Sequence, residues 1–355
     1  MIFEVLSAGL LTTVQDLGRW GYQGKGMPVA GAMDPQALKI GNILVGNDPG
    51  EAAFEITLMG PTLAVLEGEG LIAVTGAEIN FTINDVEAPL WQSVKVQAGD
   101  TIALSAPKGH GCRAYLCVSG SLDVPIVMGS KSTYLRAGVG GFNGRALKAG
   151  DRISTGPLKP LTWLSVGLAC PERLRPKREL ELPLRVVLGP QDDAFTEKGL
   201  KTFLESEYTI TNEADRMGYR LEGPVIEHKA GADIISDAIP LGAVQVPGHG
   251  KPICMLADRQ TTGGYTKIAV LSTPDIAVLA QRIPGQTVRF KAISLEESIA
   301  ATKAEREQIE ELLRLRASYR SRRVVPVGSP KPRVSERWAL RVDGRTYDVI
   351  VEELD

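Results

Sequence analysis

Short runs of β-branched and apolar residues, cut by glycine turns, dominate residues 1–165. Ile72–Thr75, Val94–Val96, Thr101–Leu104 and Ala114–Val118 are each bounded by Gly, Pro or Asp, which predicts strands. One turn recurs: Ala98-Gly99-Asp100, Ala149-Gly150-Asp151 and Pro284-Gly285-Gln286 each precede a strand-like run, hinting at two similar barrels. A helix is expected after Asp34, a good N-cap followed by Pro35, with Leu38, Asn42 and Val45 on one side and Gly46 to end it.

Residues 160–183 turn Pro- and charge-rich and mark a domain boundary. Arg185-Val186-Val187-Leu188 opens a second β-rich unit, with short helices expected at 195–204 and 275–281. Ser294 and Glu297 form a capping box for a last helix, whose stripe is Ile299, Ile309, Leu312 and Leu313. A linker with Pro326, Gly328, Pro330 and Pro332 leads to two strands joined at Asp343-Gly344. The fold class is mainly β with few helices: one β domain over 1–165, a second over 184–293, a helix over 294–325, and a linker with a terminal hairpin over 326–355.

Composition changes little in this picture. Of 355 residues, 43% are hydrophobic and 23% charged, and the formal net charge is −2, which suits a globular protein and gives nucleic acid no basic face. The basic run Arg314–Arg323 reads as a solvated helix end. No run approaches the roughly 18 apolar residues of a membrane span, and the start lacks a signal-peptide pattern, so the cytoplasm is expected. Cys112, Cys117, Cys170 and Cys254 are too scattered for a disulfide framework. Three histidines without paired spacing offer no zinc site.

Common motifs are missing. Gly250-Lys251 is followed by Pro252, so there is no P-loop. The glycines at 138, 140, 141 and 144 have Asn143 where a dinucleotide fingerprint needs glycine, and read as a tight or flexible loop. No Gly-x-Ser-x-Gly elbow occurs.

Polar residues concentrate in three segments. Thr12–Asn47 holds Gln15, Asp16 and Arg19 among glycines that let backbone approach a ligand; Asp16 alternatively pairs with Arg19. In Asp215–Arg220, Arg216 and Arg220 would share a strand face and grip an anion, with a structural ion-pair network as the rival reading. Gln245–Lys267 is read as a hairpin: strand Ile253–Ala257, turn Thr262–Tyr265, return strand Lys267–Leu271. Asp258, Gln260 and Thr262 would then lie on one side, and Tyr265 and Lys267 together on another.

Gln15-Asp16-Leu17-Gly18-Arg19, Gly31-Ala32-Met33-Asp34, Val45-Gly46-Asn47, Phe54-Glu55-Ile56-Thr57, Gly189-Pro190-Gln191, Asp215-Arg216-Met217-Gly218-Tyr219-Arg220, Gln245-Val246-Pro247-Gly248 and Asp258-Arg259-Gln260-Thr261-Thr262-Gly263-Gly264-Tyr265 follow in order. Together they resemble the KipA family, also called allophanate hydrolase subunit 2 or the 5-oxoprolinase C-subunit family. The resemblance implies two cyclophilin-like β-barrel domains and a hetero-oligomer with a KipI-type partner and a third, LamB/YcsF-type subunit. It also implies kinship with the carboxyltransferase part of urea amidolyase. His249 stands where the family typically has Asp.

The implied chemistry is ATP-dependent ring opening of 5-oxoproline, with ATP and Mg²⁺ held in the complex. The alternatives are a biotin-dependent carboxyltransferase acting on urea or another amide, and a non-catalytic regulator of a KipI-type inhibitor. Activating a lactam requires cations for anionic groups, a base for water and donors for an oxyanion. Arg216, Arg220 and Lys267 are assigned to anions and Asp16 and Asp258 to base or metal-nucleotide duties. Gln15, Arg19, Gln245, Gln260, Thr262 and Tyr265 are assigned to holding the substrate.

Overall fold

The computed structural model describes residues 1–323 and, beyond them, the strands at 325–326, 336–342 and 345–351. Two antiparallel sheets pack face to face in the first part of the chain. The six-stranded sheet runs, in spatial order, Arg152–Ser154, Ile2–Ser7, Thr62–Glu67, Thr101–Pro107, Ile79–Ile83 and Val86–Glu87. The five-stranded sheet runs Leu11–Gln15, Ala53–Thr57, Arg113–Val118, Glu69–Gly76 and Ser93–Gln97.

The five-stranded sheet is buried on both faces, which explains why its strands read as apolar runs rather than clean alternations. Phe54, Ile56, Ile72, Val74, Leu116 and Val118 face the core between the sheets. Ala53, Leu71, Ala73, Tyr115 and Cys117 face helix α1 (Pro35–Leu44). Cys117 lies in the Arg113–Val118 strand and Cys112 just before it, and all four cysteines are buried and free.

An eight-stranded, nearly closed sheet forms the second unit: Thr287–Val288, Tyr208–Ile210, Gly218–Glu222, Ile253–Met255, Ala243–Gln245, Lys267–Leu271, Leu184–Leu188 and Phe290–Ala292. Its last pair is parallel. Helix α2 (Glu197–Glu205) packs near that closure, and α3 (Thr273–Ala280) follows the Lys267–Leu271 strand. The recurrent turn is real in all three places. Gly99, Gly150 and Gly285 have positive φ, and the next side chain, Asp100, Asp151 or Gln286, accepts the N–H three residues back.

The expected hairpin over 253–271 does not form. The Ala243–Gln245 strand inserts between Ile253–Met255 and Lys267–Leu271, because burying both strands takes a central partner. Thr262–Tyr265 is itself a strand and pairs with Asp233–Ala238 as a separate two-stranded ribbon.

Helix α4 (Leu295–Ser321) starts with the complete Ser294/Glu297 capping box. Its stripe is only half buried. Ile309, Leu312 and Leu313 pack on the α1 side of the first unit, whereas Ile299 is exposed. Its basic end is solvated only in part: Arg314, Arg322 and Arg323 are exposed, whereas the half-buried Arg316 donates to Asn47 O and Arg320 to Ser165 Oγ, and Arg323 reaches Val166 O from the surface. These guanidiniums find carbonyl and hydroxyl acceptors that a lysine would reach less specifically. The Glu336–Val342 and Arg345–Val351 strands pair as predicted, while Asp343-Gly344 and the linker residues Gly328, Pro330 and Pro332 lie outside the described residues.

Candidate functional site

The Phe54-Glu55-Ile56 strand places one carboxylate on the outer, α1-side face of an otherwise apolar sheet. Glu55 is 1% exposed. It accepts from Met33 N–H, from the Tyr115 hydroxyl and from Arg216 Nη1. Arg216 reaches it from the second unit and also grips Asp258 through Nε and Nη2, both at 3.0 Å, and Gly31 O. Burial opposes the charge on Arg216, but Asp258 and Glu55 outweigh it and raise its pKa. Burial, with Glu55 and Asp34 beside it, holds the Tyr115 phenol well above its ordinary range, so it remains a donor.

Asp34 caps α1 through Ala37 N–H and is also held by Arg178 and by Gln281 Nε2. Gln281, at the end of α3, accepts Cys112 and Arg113 N–H through its Oε1. This network ties the two units together with its hydrogen-bonding groups internally occupied. Arg216 and Asp258 therefore act here as struts.

Arg216 and Arg220 do not share a face. Arg216 precedes its strand in a turn fixed by Asp215, whose carboxylate accepts Met217 and Gly218 N–H, so strand alternation does not reach it. Arg220 lies at the surface beside Glu213. Asp16 does not pair with Arg19. Its oxygens accept Ser130 Oγ, Ser132 Oγ and the Gly18 and Lys131 N–H groups, which pins the 130–132 loop.

Arg19 is fully buried, and only its Nη2 is bonded, to Ser132 O; Nε and Nη1 have no partner among the described residues. Burial lowers its pKa, with Asp16 and Asp258 acting against that. Gln15 donates to Thr13 and Thr133, and its Oε1 is unpaired. His249, exposed, accepts Lys251 N–H in a turn.

The second cluster surrounds Lys267. Gln245 and Lys267 are opposite each other across paired strands, which places both side chains on one face. Lys267 is fully buried. Its ammonium meets Asp237 at 3.2 Å. Gln191 binds both backbone groups of Lys267 and lies 3.5 Å from Asp237 through Nε2.

Asp237 stands on the two-stranded ribbon. The Ala238 N–H and Lys267 lower its pKa. Gln245 Nε2 and Gln260 Oε1 are buried without partners. Both amides crowd Gly263, where an added Cβ would press on Gln245 Nε2 at 3.1 Å and Ile239 Cδ1 at 2.7 Å and push these side-chain ends aside. The arrangement offers a cation, a free amide donor and a free amide acceptor in one place.

The expected sides do not hold around it. Asp258 turns to Arg216, Gln260 to Gly263, and Thr262 is exposed. Tyr265, 41% exposed, belongs to the ribbon rather than to Lys267's sheet, because Thr266 carries the chain from one sheet to the other. Sequence reasoning missed Gln191, Asp237, Glu55 and Arg113 as polar partners. A lone Glu inside Ala52-Ala53-Phe54-Glu55-Ile56 was a usable signal for Glu55; nothing singled out Asp237. Among the described residues no group of three His, Cys, Asp or Glu side chains is placed to hold a metal ion.

Two barrels joined by a buried ionic network, with the lysine cluster in the second, define a carboxyltransferase-type fold. The chain belongs to the family described as "Carboxyltransferase domain, subdomain A and B", which matches residues 25–292. It is 38% identical over 311 residues to the 5-oxoprolinase C-subunit of Escherichia coli, covering 88% of this chain and 97% of that protein. It is 37% identical to the Haemophilus influenzae protein of the same name, covering 84% and 93%. The crystal structure of Kluyveromyces lactis urea amidolyase superposes with a TM-score of 0.80 at 30% identity, over 88% of this chain and 20% of that one. The resemblance to the 5-oxoprolinase C-subunit family is thus confirmed.

Proposed function

We propose that this chain is the C-subunit of an ATP-dependent 5-oxoprolinase, opening 5-oxo-L-proline to L-glutamate in a cytoplasmic complex with a KipI-type subunit and a LamB/YcsF-type subunit. The observation that carries this reading is the match to the E. coli protein over 97% of its length. The lysine cluster supports it. A lactam presents one acceptor, its carbonyl, and one donor, its N–H. Gln245 Nε2 and Gln260 Oε1 are the unpaired donor and acceptor that complement them, and Lys267 supplies charge for an oxyanion or a substrate anion.

Transfer of the γ-phosphoryl group of ATP to the lactam oxygen would release ADP and make the ring carbon electrophilic. Water then adds there, the C–N bond opens to leave γ-glutamyl phosphate, and a second water cleaves that acyl phosphate to glutamate and inorganic phosphate. The Mg²⁺ of such a reaction would accompany the phosphates of the nucleotide.

The family match favours a second reading, a biotin-dependent carboxyltransferase acting on an amide. One experiment separates them: glutamate and ADP formation from 5-oxoproline by the assembled complex, with and without bicarbonate. ATP-dependent glutamate without bicarbonate supports the oxoprolinase. Bicarbonate-dependent, avidin-sensitive turnover of urea without glutamate replaces it with the carboxyltransferase.

A further inference from the structure

Two clefts lie side by side where the barrels meet under α4. One, of about 290 Å³, is bounded by the α1, α3 and α4 helices; the other, of about 350 Å³, reaches Gln260 and Thr261. They share Trp20, Val29, Leu241 and Arg259 as a common wall. Each is near the lower end of the roughly 300–1,000 Å³ typical of small-molecule sites.

Arg259 is the unusual member of that wall. It is 6% exposed. Its Nε donates to Ile239 O and its Nη1 to Leu256 O, while Nη2 has no partner among the described residues. No carboxylate among the described residues lies within 4.0 Å of it, a lack it shares with buried Arg19 and Arg282 but not with buried Arg113 and Arg216 or half-buried Arg178. Burial alone brings its pKa down to about 10, as expected for a largely buried cation without a counter-ion. Keeping such a group costs stability unless something binds to it.

The lining shows what would bind. Lys39 and Arg306 join Arg259 around the first cleft against a single carboxylate, Glu305. Trp20 is 58% exposed, yet its indole Nε1 is pinned to Leu17 O at 2.9 Å, which leaves a fixed aromatic surface beside apolar Val29 and Leu241.

We propose that this joined cleft is a nucleotide site, with phosphate on Arg259, Lys39 and Arg306 and the base against Trp20. The inference rests on the ATP-dependent reading above and locates its nucleotide on this chain, next to Gln260 of the lysine cluster. Several cations favour a phosphate over a carboxylate, and the fixed indole favours a flat ring over a sugar or an aliphatic tail.

The test is calorimetric titration of ADP, and separately of inorganic phosphate, into the full chain alone and in the assembled complex. ADP is expected to bind and phosphate to bind far more weakly. Arg259→Met should weaken ADP at least tenfold, and Trp20→Ala and Arg306→Ala severalfold, with Lys267→Met leaving it unchanged. Because Arg259 also ties two carbonyls, the exposed Trp20 and Arg306 variants carry the test if Arg259→Met does not fold. ADP that fails to bind in either setting, or binds indifferently to all three substitutions, overturns the proposal. Glutamate formation without Arg259-dependent ADP binding removes this inference alone; Arg259-dependent ADP binding without glutamate removes the oxoprolinase reading alone.

Discussion

Replacing Arg216 with Met should cost stability before it costs chemistry. The side chain is 5% exposed and holds Asp258 through two 3.0 Å bonds, with Glu55 and Gly31 O as further acceptors. Methionine fills much of the same volume but strands two carboxylates that are 1% and 7% exposed. Removing one member of a buried ionic cluster costs about 3–5 kcal/mol, a large part of the roughly 5–15 kcal/mol that holds a typical domain folded.

At about 2–4 °C per kcal/mol the melting temperature should fall by roughly 6–20 °C. Urea unfolding followed by far-UV circular dichroism and tryptophan fluorescence measures the loss. Adding Asp258→Asn should recover part of it, because one stranded charge is then gone. A variant within about 1 kcal/mol of the parent, or one whose loss deepens with Asp258→Asn, would refute the strut argument and return Arg216 to the anion-binding role first assigned to it.

Three further outcomes follow from the geometry. Lys267→Met should lower kcat of the assembled enzyme by about 10²–10³, with little change in unfolding, since its partner Asp237 is exposed and keeps water. Arg220→Met should leave both turnover and stability within error, because its ion pair with Glu213 is at the surface. Burial pushes the thiols of Cys170 and Cys254 up to about 11 and about 12, so at pH 8 on the order of one in a thousand or fewer is thiolate. An aromatic disulfide reagent should titrate these cysteines only after denaturation, and prompt reaction of the native chain would contradict the burial.

Legibility in the sequence followed locality. The Asp34 cap, the Ser294/Glu297 box, the paired terminal strands and the three Gly turns depend on neighbours three or four residues apart, and all formed. Readings that assumed one periodicity across a break failed. Arg216 sits before its strand, Thr262–Tyr265 leaves the barrel for the ribbon, and an intervening strand occupies the place of the expected hairpin partner. Asp237 was invisible because its relation to Lys267 exists only after the ribbon folds over the sheet. Between its pairings at 233 and 237 that strand carries three residues against one, a bulge that no local propensity marks.

The short segment from Leu256 to Gln260 explains why the polar network and the two candidate sites occur together. Leu256 and Ala257 enter the second core, and Ala257 O accepts Ala30 N–H from the first unit. Asp258 is locked by Arg216, Arg259 walls the cleft, and Gln260 turns to Gly263. A buried ion pair contributes little net stability compared with apolar packing, so stability alone does not account for burying Arg113 and Arg216, with half-buried Arg178 beside them, at one seam. A directional network does fix a single seating of one barrel on the other. With Asp258 held at both oxygens, its neighbours on either side can turn to different ligands without the segment shifting, and site geometry of that precision requires such support.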